Sequence, residues 1–160
     1  MILKRNTPVL FLRLSNFKNN DFVLEHKKII LNNGMTWMLK LGRKIDKKYL
    51  EEIIKCNSGL IIKESGKENF NFYFCKLESI KYDNSSIFPE YYYDYLEDQY
   101  YDLDYAIKEG NWFKITEIIK IDEYDVDKFI ISSTKTPLKR LAINSRAPYS
   151  FCETIDIINL

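Results

Sequence analysis

Aromatic rings interleaved with basic side chains are the feature of this sequence that points most directly to a chemistry. The chain has 12 Tyr, 10 Phe and 2 Trp, so that aromatic residues make up 15% of it. Flat rings stack on nucleobases, and Lys or Arg side chains neutralise phosphates. The candidates for a base or nucleotide pocket are Asn16, Trp37, Trp112 and Ser145, and the candidate phosphate contacts are Lys40, Arg43, Arg140 and Arg146.

The pocket candidates also have ordinary structural interpretations. Trp37 and Trp112 could be core residues of a sheet, because large aromatic side chains contribute much of the buried surface of a domain. Asn16 and Ser145 lie in polar loops, where turn-forming residues need no ligand. At this point both interpretations stay open for each residue.

Patterns typical of catalysis are scarce. The single histidine, His26, lies on the apolar stripe of a predicted helix, where a packed, hydrogen-bonded core histidine is the simpler interpretation. The five glycines form no phosphate-binding loop, and there is no Gly-x-Ser-x-Gly motif. The carboxylates between Glu90 and Asp104 resemble a solvated surface rather than a catalytic pair. We therefore expect a protein that is not an enzyme and that needs neither a metal nor a cofactor.

Length and cysteine content favour one cytoplasmic domain. With 160 residues, 46% of them hydrophobic, the chain can bury a core without disulfides or metal. Its cysteines, Cys56, Cys75 and Cys152, are widely spaced, which indicates reduced, buried thiols. No apolar run is long enough to cross a bilayer. We expect a single domain over residues 1–160, soluble and cytoplasmic, with no membrane partner.

Charge is distributed unevenly along the chain, although the net charge is only +1. Up to Lys48 the sequence has 11 Lys or Arg and 3 Asp or Glu, whereas residues 49–130 have 9 and 18. This asymmetry favours a basic face that could bind phosphate and an acidic belt elsewhere. It does so provided that the basic and acidic residues are also separated in the folded protein.

The first half of the chain is predicted to alternate strands and helices. Asp21 and Asp46 are N-cap residues in front of segments with helical apolar spacing, and Gly34 and Gly59 follow those segments. The predicted elements are strands over 9–14, 35–43, 60–63 and 70–82, helices over 22–33 and 47–56, and a hairpin loop over 65–69.

The predicted strand from Met35 to Arg43 lies between these two helices. Its alternation directs Trp37 and Arg43 to one face and Lys40 to the other. One face therefore cannot serve all three side chains, unless Gly42 interrupts the pleat and turns Arg43 aside. We expect Trp37 to be the stacking surface and Arg43 to lie at the rim beyond the glycine.

The second half of the chain contains a segment rich in tyrosine and acid, over about residues 83–110, which we expect to be a partly exposed insertion. After it come a strand over 112–121, an acidic turn or helix start over 122–127, a short strand or helix end over 128–132, a short basic helix over 138–143 and a last strand over 149–158. Together the elements predict an α+β fold, with a small curved mixed sheet or pseudo-barrel and two early helices.

Four segments, taken in order, resemble the PUA-like superfamily, which includes the EVE, ASCH and YTH domains. They are Ser15-Asn16 after the first strand, the strand from Thr36 to Arg43, Phe88-Pro89-Glu90-Tyr91-Tyr92, and Trp112-Phe113-Lys114-Ile115. The resemblance implies a pseudo-barrel whose pocket takes a nucleobase, often a modified one, in DNA or RNA. It also implies pocket roles for Asn16, Trp37 and Trp112, and backbone contacts for Lys40, Arg43, Arg140 and Arg146. Such domains are associated with nucleic-acid modification, restriction and defence.

Three functions follow as hypotheses. The first is a nucleic-acid-binding module that accommodates a flipped or modified base of DNA or RNA in an aromatic pocket. The second is a small-ligand pocket that sequesters or senses a free or signalling nucleotide. The third is a protein-interaction domain that uses the belt of tyrosines and acids from Tyr91 to Tyr105.

Overall fold

Nine strands and six helices are present in the part of the chain that the computed structural model describes, residues 1–64, 71–83 and 87–160. The strands are β1 (Ile2–Leu3), β2 (Pro8–Leu14), β3 (Thr36–Lys40), β4 (Gly59–Glu64), β5 (Phe72–Ser79), β6 (Asn111–Ile121), β7 (Phe129–Ile131), β8 (Tyr149–Thr154) and β9 (Ile158–Asn159). The helices are α1 (Phe22–Asn33), α2 (Lys47–Lys55), α3 (Tyr92–Asp98), α4 (Leu103–Glu109), α5 (Glu123–Val126) and α6 (Leu138–Asn144).

Seven of these strands form one mixed sheet in the order β3-β6-β5-β4-β2-β8-β7. Within it, β2 and β4 pair in parallel, and the other neighbouring strands pair in antiparallel fashion. The strands β1 and β9 pair with each other as a separate antiparallel ribbon. The prediction of an α+β fold with a mixed sheet is confirmed, and the sheet is not closed into a barrel.

The sheet curves strongly enough to bring two distant strands together. Three strands separate β3 from β2 in the sheet order, so a flat sheet would hold these two about 19 Å apart. Nevertheless, the Nζ atom of Lys40 in β3 donates a hydrogen bond of 2.7 Å to the carbonyl oxygen of Arg13 in β2. The lysine side chain cannot span such a distance alone, and the predicted curvature is therefore present.

Both faces of the central strand β2 are buried. Leu10 and Leu12 pack on one face with residues of α1 and α2. Val9 and Phe11 pack on the opposite face with residues of α6. Because helices cover both faces, this strand appears in the sequence as a continuous apolar run instead of an alternating pattern.

The two early helices begin where the sequence predicts. The backbone N–H of Leu24 donates to the Asp21 carboxylate at 2.8 Å, and that of Lys48 donates to the Asp46 carboxylate at the same distance. Each carboxylate thereby satisfies a donor that the first helical turn leaves without a partner. The first helix ends at Gly34, whose φ of 76° is a left-handed conformation that glycine adopts without strain.

The segment rich in tyrosine and acid differs from the expected insertion, because it forms α3 and α4 and also contributes to the core. Phe88, Tyr92 and Leu96 are buried against Trp37 and Trp112. Tyr92 and Leu96 are four positions apart in α3, which places them on the same side of this helix, and Phe88 precedes it by four positions. The many exposed tyrosines around them hide this stripe in the sequence.

Smaller differences concern the ends of elements. The strand β3 ends at Lys40 rather than Arg43, since Gly42 leaves the extended conformation with a φ of 117°. The predicted last strand is divided into β8 and β9. Of the three thiols expected to be buried, Cys56 is exposed, because it follows the last turn of α2 at the surface. The predicted hairpin loop over 65–69 lies outside the described residues.

The single histidine is a buried core residue, as predicted. The Nδ1–H of His26 donates to the carbonyl oxygen of Phe22 at 2.7 Å, since a carbonyl can only accept. Its Nε2 atom then accepts a hydrogen bond of 2.7 Å from the Tyr92 hydroxyl. The same hydroxyl accepts from the backbone N–H of Leu39 at 3.2 Å. One tyrosine oxygen therefore joins α1, α3 and β3.

The histidine predicts a loss of stability in mild acid. Burial lowers the pKa of His26 from 6.5 to about 4, and the hydrogen bond to Phe22 offsets only part of this effect. The unfolded chain therefore takes up a proton below about pH 6.5, whereas the folded protein does so only near pH 4. We expect this group to lower the free energy of unfolding by about 3 kcal/mol as the pH falls from 6.5 to 4. Urea denaturation across this range measures the effect.

The control variant is His26→Gln, which has no titrating ring. It should be less stable than the parent protein at pH 7, because the substitution disturbs a packed hydrogen-bonded site. It should also lack the histidine contribution to the pH dependence. Parallel stability curves for the two proteins between pH 6.5 and 4 would contradict the prediction.

Candidate functional site

Three neighbouring depressions share the chain segment that leaves β3. The Lys40 pocket, of about 160 Å³, is lined by residues that include Arg13, Asn16, Phe17, Lys40, Tyr91 and Tyr95. The tyrosine groove, of about 580 Å³, is lined by Leu41, Gly42, Arg43, Lys44, Tyr95, Gln99, Tyr101, Tyr105 and Glu109. The Trp112 hollow, of about 290 Å³, is lined by residues that include Lys44, Ile45, Lys47, Lys81, Asn111 and Trp112.

Shared residues place these depressions next to one another in a row. Leu41 and Tyr95 line both the Lys40 pocket and the tyrosine groove. Lys44 lines both the tyrosine groove and the Trp112 hollow. The segment from Leu39 to Lys47, called here the basic turn, therefore runs along all three.

A buried amide holds the basic turn in shape. The Nδ2 group of Asn111 donates to the carbonyl oxygens of Lys40 and Arg43, each at 3.1 Å. Its Oδ1 atom accepts from the backbone N–H of Ile45 at 2.9 Å. Only 7% of Asn111 is exposed, so its side chain replaces water as the partner of these backbone groups. The sequence interpretation passed over this residue, although a polar side chain at the start of an apolar strand was a signal.

The basic turn concentrates positive charge. Lys40, Arg43 and Lys44 take part in none of the ion pairs formed among the described residues. The Nζ atoms of Lys40 and Lys44 donate to the carbonyl oxygens of Arg13 and Gly110 instead. A carbonyl dipole orients an ammonium group but does not cancel its charge. The turn therefore presents cations that an anionic ligand could neutralise.

Two lysines lie near Arg13, and one of them, Lys40, lines the Lys40 pocket. Burial lowers the pKa of Lys40, and the nearby Arg13 guanidinium lowers it further. Lys63 pairs with Arg13 in the register of β2 and β4. Burial and, secondly, the Arg13 guanidinium also lower the pKa of Lys63. An anion bound in this pocket would relieve the repulsion and raise the pKa of Lys40.

The guanidinium of Arg13 contacts one predicted residue, Ser145, which does not line this pocket. Its Nη2 atom donates to the carbonyl oxygen of Ser145 at 2.7 Å, so Ser145 contributes a backbone group rather than a base-reading hydroxyl. The Nε atom of Arg13 is buried without a hydrogen-bond partner among the described residues. Arg140 and Arg146 are exposed, but they line none of the three depressions, so the structure does not bring them to the row.

Asn16 lines the Lys40 pocket and also has the structural role that its loop position suggested. The backbone N–H of Phe22 donates to its Oδ1 atom at 2.9 Å, at the start of α1. Its Nδ2 group makes no hydrogen bond with another residue in the described ranges. Asn16 therefore holds the loop in place and leaves two N–H donors next to the pocket.

The two tryptophans lie in a packed aromatic cluster. Trp37 is 0% exposed, and its Nε1–H points to the Asp83 carboxylate at 3.3 Å. Trp112 is 4% exposed, and its Nε1–H donates to the carbonyl oxygen of Ala106 at 2.8 Å. The expectation of Trp37 as an open stacking surface is therefore not met, because other rings enclose it. Trp112 lines its hollow with little exposed area.

Tyrosines supply the accessible rings of the row. Tyr101 and Tyr105 stack with ring centroids 4.1 Å apart and planes at 9°, and they are 40% and 42% exposed. Beside the Lys40 pocket, Phe17 lies face to face with Tyr91 at 6.1 Å. The stacking function expected of the tryptophans is thus available from residues that the sequence interpretation assigned to an insertion. Their spacing of four positions, 91, 95, 101 and 105 in two pairs, was the available signal.

No protein-family model, curated protein or solved structure matches this chain. In the described ranges, no helix is long and apolar enough to cross a membrane.

Removal of the buried amide tests how the basic turn is held. In Asn111→Ala, three backbone groups near positions 40, 43 and 45 lose their partner, and we expect a loss of about 2–3 kcal/mol in the free energy of unfolding. The amide proton of Ile45 should exchange with solvent faster than in the parent protein. Hydrogen exchange followed by NMR measures this at single residues.

The matched control is Asn144→Ala, because Asn144 is exposed at the end of α6. This variant should change stability by less than about 0.5 kcal/mol. Unchanged exchange at Ile45 in Asn111→Ala would show that another group holds the turn.

Proposed function

We propose that this protein binds single-stranded nucleic acid along the row of three depressions, with phosphates against the basic turn and bases against the tyrosines. The observation that carries the proposal is the recurrence of cations along one segment that lines every depression. The Lys40 pocket has Lys40, the tyrosine groove has Arg43 and Lys44, and the Trp112 hollow has Lys44 and Lys47. This succession suits a ligand with charge repeated along its length.

Each depression also combines a cation with an aromatic ring. Tyr95 accompanies Lys40, the Tyr101 and Tyr105 pair accompanies Arg43, and Trp112 accompanies the shared Lys44. A base stacked on an aromatic side chain contributes about 1–3 kcal/mol, and any base can supply a flat face. Rings and cations together are therefore the combination that binds a flexible strand.

The concave placement of the rings favours unpaired bases. In a duplex, the faces of the bases are stacked on their neighbours and cannot reach a tyrosine in a groove. A single strand, or one base extruded from a duplex, can do so. The resemblance to PUA-like domains also implies a nucleobase pocket. Here we propose that tyrosines, rather than the two tryptophans, stack on the base.

A free nucleotide is the second candidate, and the tyrosine groove favours it for two reasons. Its volume of about 580 Å³ lies within the range of about 300–1,000 Å³ that is typical of small-molecule sites. In addition, acids are exposed on α3 and α4 around it, among them Asp98 and Asp104. These carboxylates repel a long polyanion more than a single nucleotide.

The proposal predicts how charge removal changes binding. We expect Arg43→Gln to weaken the binding of a labelled single-stranded 12-mer for every sequence alike, because Arg43 is exposed and contacts phosphate rather than a base edge. The slope of log Kd against log salt should fall by about 0.7, which is the release from one phosphate of a single strand. Fluorescence anisotropy over a range of salt concentration measures both.

The matched control for this prediction is Arg5→Gln. Arg5 is also exposed but precedes β2, whereas the Lys40 pocket lies beyond the end of that strand. This variant should keep the parent affinity and slope. Binding that does not depend on salt, or the absence of binding, would contradict the proposal. Saturation by a mononucleotide at the same concentration as by the 12-mer would select the second candidate.

A further inference from the structure

The tyrosine groove has two walls of different chemistry. One wall is the basic turn, which presents Arg43 and Lys44. The other wall comes from α4 and the connection that precedes it, and presents Gln99, Tyr101, Tyr105 and Glu109. A nucleotide has two parts that match these walls. Its phosphate is anionic, and its base is flat with polar edges. The two walls suit a nucleotide whose phosphate lies towards the turn and whose base lies towards the helices.

The helix wall places a carboxylate next to the stacking surface. Tyr105 and Glu109 are four positions apart on α4, so that they lie on the same side of this helix, one turn apart. Tyr101 stacks on Tyr105 from the preceding connection. The Tyr105 hydroxyl interacts mainly with that of Tyr101, and the Glu109 carboxylate is close enough to add to the rise in the Tyr105 pKa.

The polar groups of this wall are available to a ligand. The side chains of Gln99 and Glu109 form no hydrogen bond or ion pair with any other residue in the described ranges. Both are exposed, so they remain hydrated until a ligand replaces the water. A carboxylate can only accept hydrogen bonds, whereas a glutamine amide both donates and accepts.

We propose that the tyrosine groove selects guanine. Guanine is the one common base that presents two adjacent donors, N1–H and the N2 amino group, and these match the two oxygens of a carboxylate such as Glu109. Its neighbouring O6 atom accepts, and the Gln99 amide can donate to it. Adenine, cytosine and thymine each place an acceptor next to their donor, and that acceptor would face the carboxylate unpaired. This inference rests on the proposed function, since it names the base for the same row of depressions.

The test uses five labelled single-stranded 7-mers of thymidine whose central base is guanine, adenine, cytosine, thymine or hypoxanthine. Hypoxanthine is guanine without the N2 amino group, so it retains one of the two donors. We expect guanine to bind at least tenfold more tightly than thymine, and hypoxanthine to be intermediate because it retains one of the two donors. Fluorescence anisotropy gives the five dissociation constants.

Two pairs of variants separate base selection from stacking. Glu109→Gln should reduce the guanine preference at least fivefold, whereas Glu97→Gln, the same charge change at an exposed site outside the groove, should preserve it. Tyr105→Ala should weaken all five oligonucleotides. Tyr100→Ala should not, because Tyr100 is 96% exposed and lines none of the depressions.

The outcomes distinguish this inference from the function on which it rests. Equal, salt-dependent binding of all five oligonucleotides would overturn the selection of guanine and leave nucleic-acid binding in place. A guanine preference that Glu109→Gln does not change would also overturn the proposed contact. If none of the five oligonucleotides binds, nucleic-acid binding itself is contradicted.

Discussion

Three hydrogen bonds from the Asn111 side chain are the constraint on which the site depends. Beyond β3 the chain leaves the sheet, and its backbone groups at positions 40, 43 and 45 lose the partners that a neighbouring strand would provide. The buried amide supplies those partners. The amide holds backbone groups only, so it leaves the side chains of Arg43 and Lys44 exposed. A preorganised turn of this kind loses less conformational entropy when it binds a ligand.

The opposite wall is held by a different device. The Tyr92 hydroxyl joins His26 in α1 to the backbone of Leu39 in β3, and so fixes α3 against the sheet. The other tyrosines of this segment can then remain at the surface, because the core contact is made by Tyr92 and its neighbours Phe88 and Leu96. The segment therefore packs into the core on one side and exposes tyrosine rings on the other.

The sequence predicted local features well and tertiary proximity poorly. The ends of α1 and α2 follow from Asp21, Gly34 and Asp46, since caps and periodicity are properties of neighbouring residues. Lys40 and Arg43 were identified and do line the row of depressions. By contrast, whether a large ring is enclosed depends on elements distant in the chain. No local pattern separates an open tryptophan from a packed one.

The same limitation explains the residues that were overlooked. Asn111 acts on a turn about 70 positions earlier in the chain, with sequence separations of 66 to 71 residues. Tyr101 and Tyr105 form part of a groove only because the fold brings the basic turn next to them. Arg140 and Arg146 were selected for charge alone, and charge does not specify which side of the fold a residue occupies.

The central claim is that a nucleic-acid strand follows the basic turn. The most direct measurement is an NMR titration of the ¹⁵N-labelled protein with a short single-stranded oligonucleotide that contains guanine. We predict that the largest changes in amide chemical shift occur between Leu39 and Lys47 and between Tyr95 and Glu109. Changes concentrated elsewhere, for example on α6 and the ribbon of β1 and β9, or no changes at all, would contradict it.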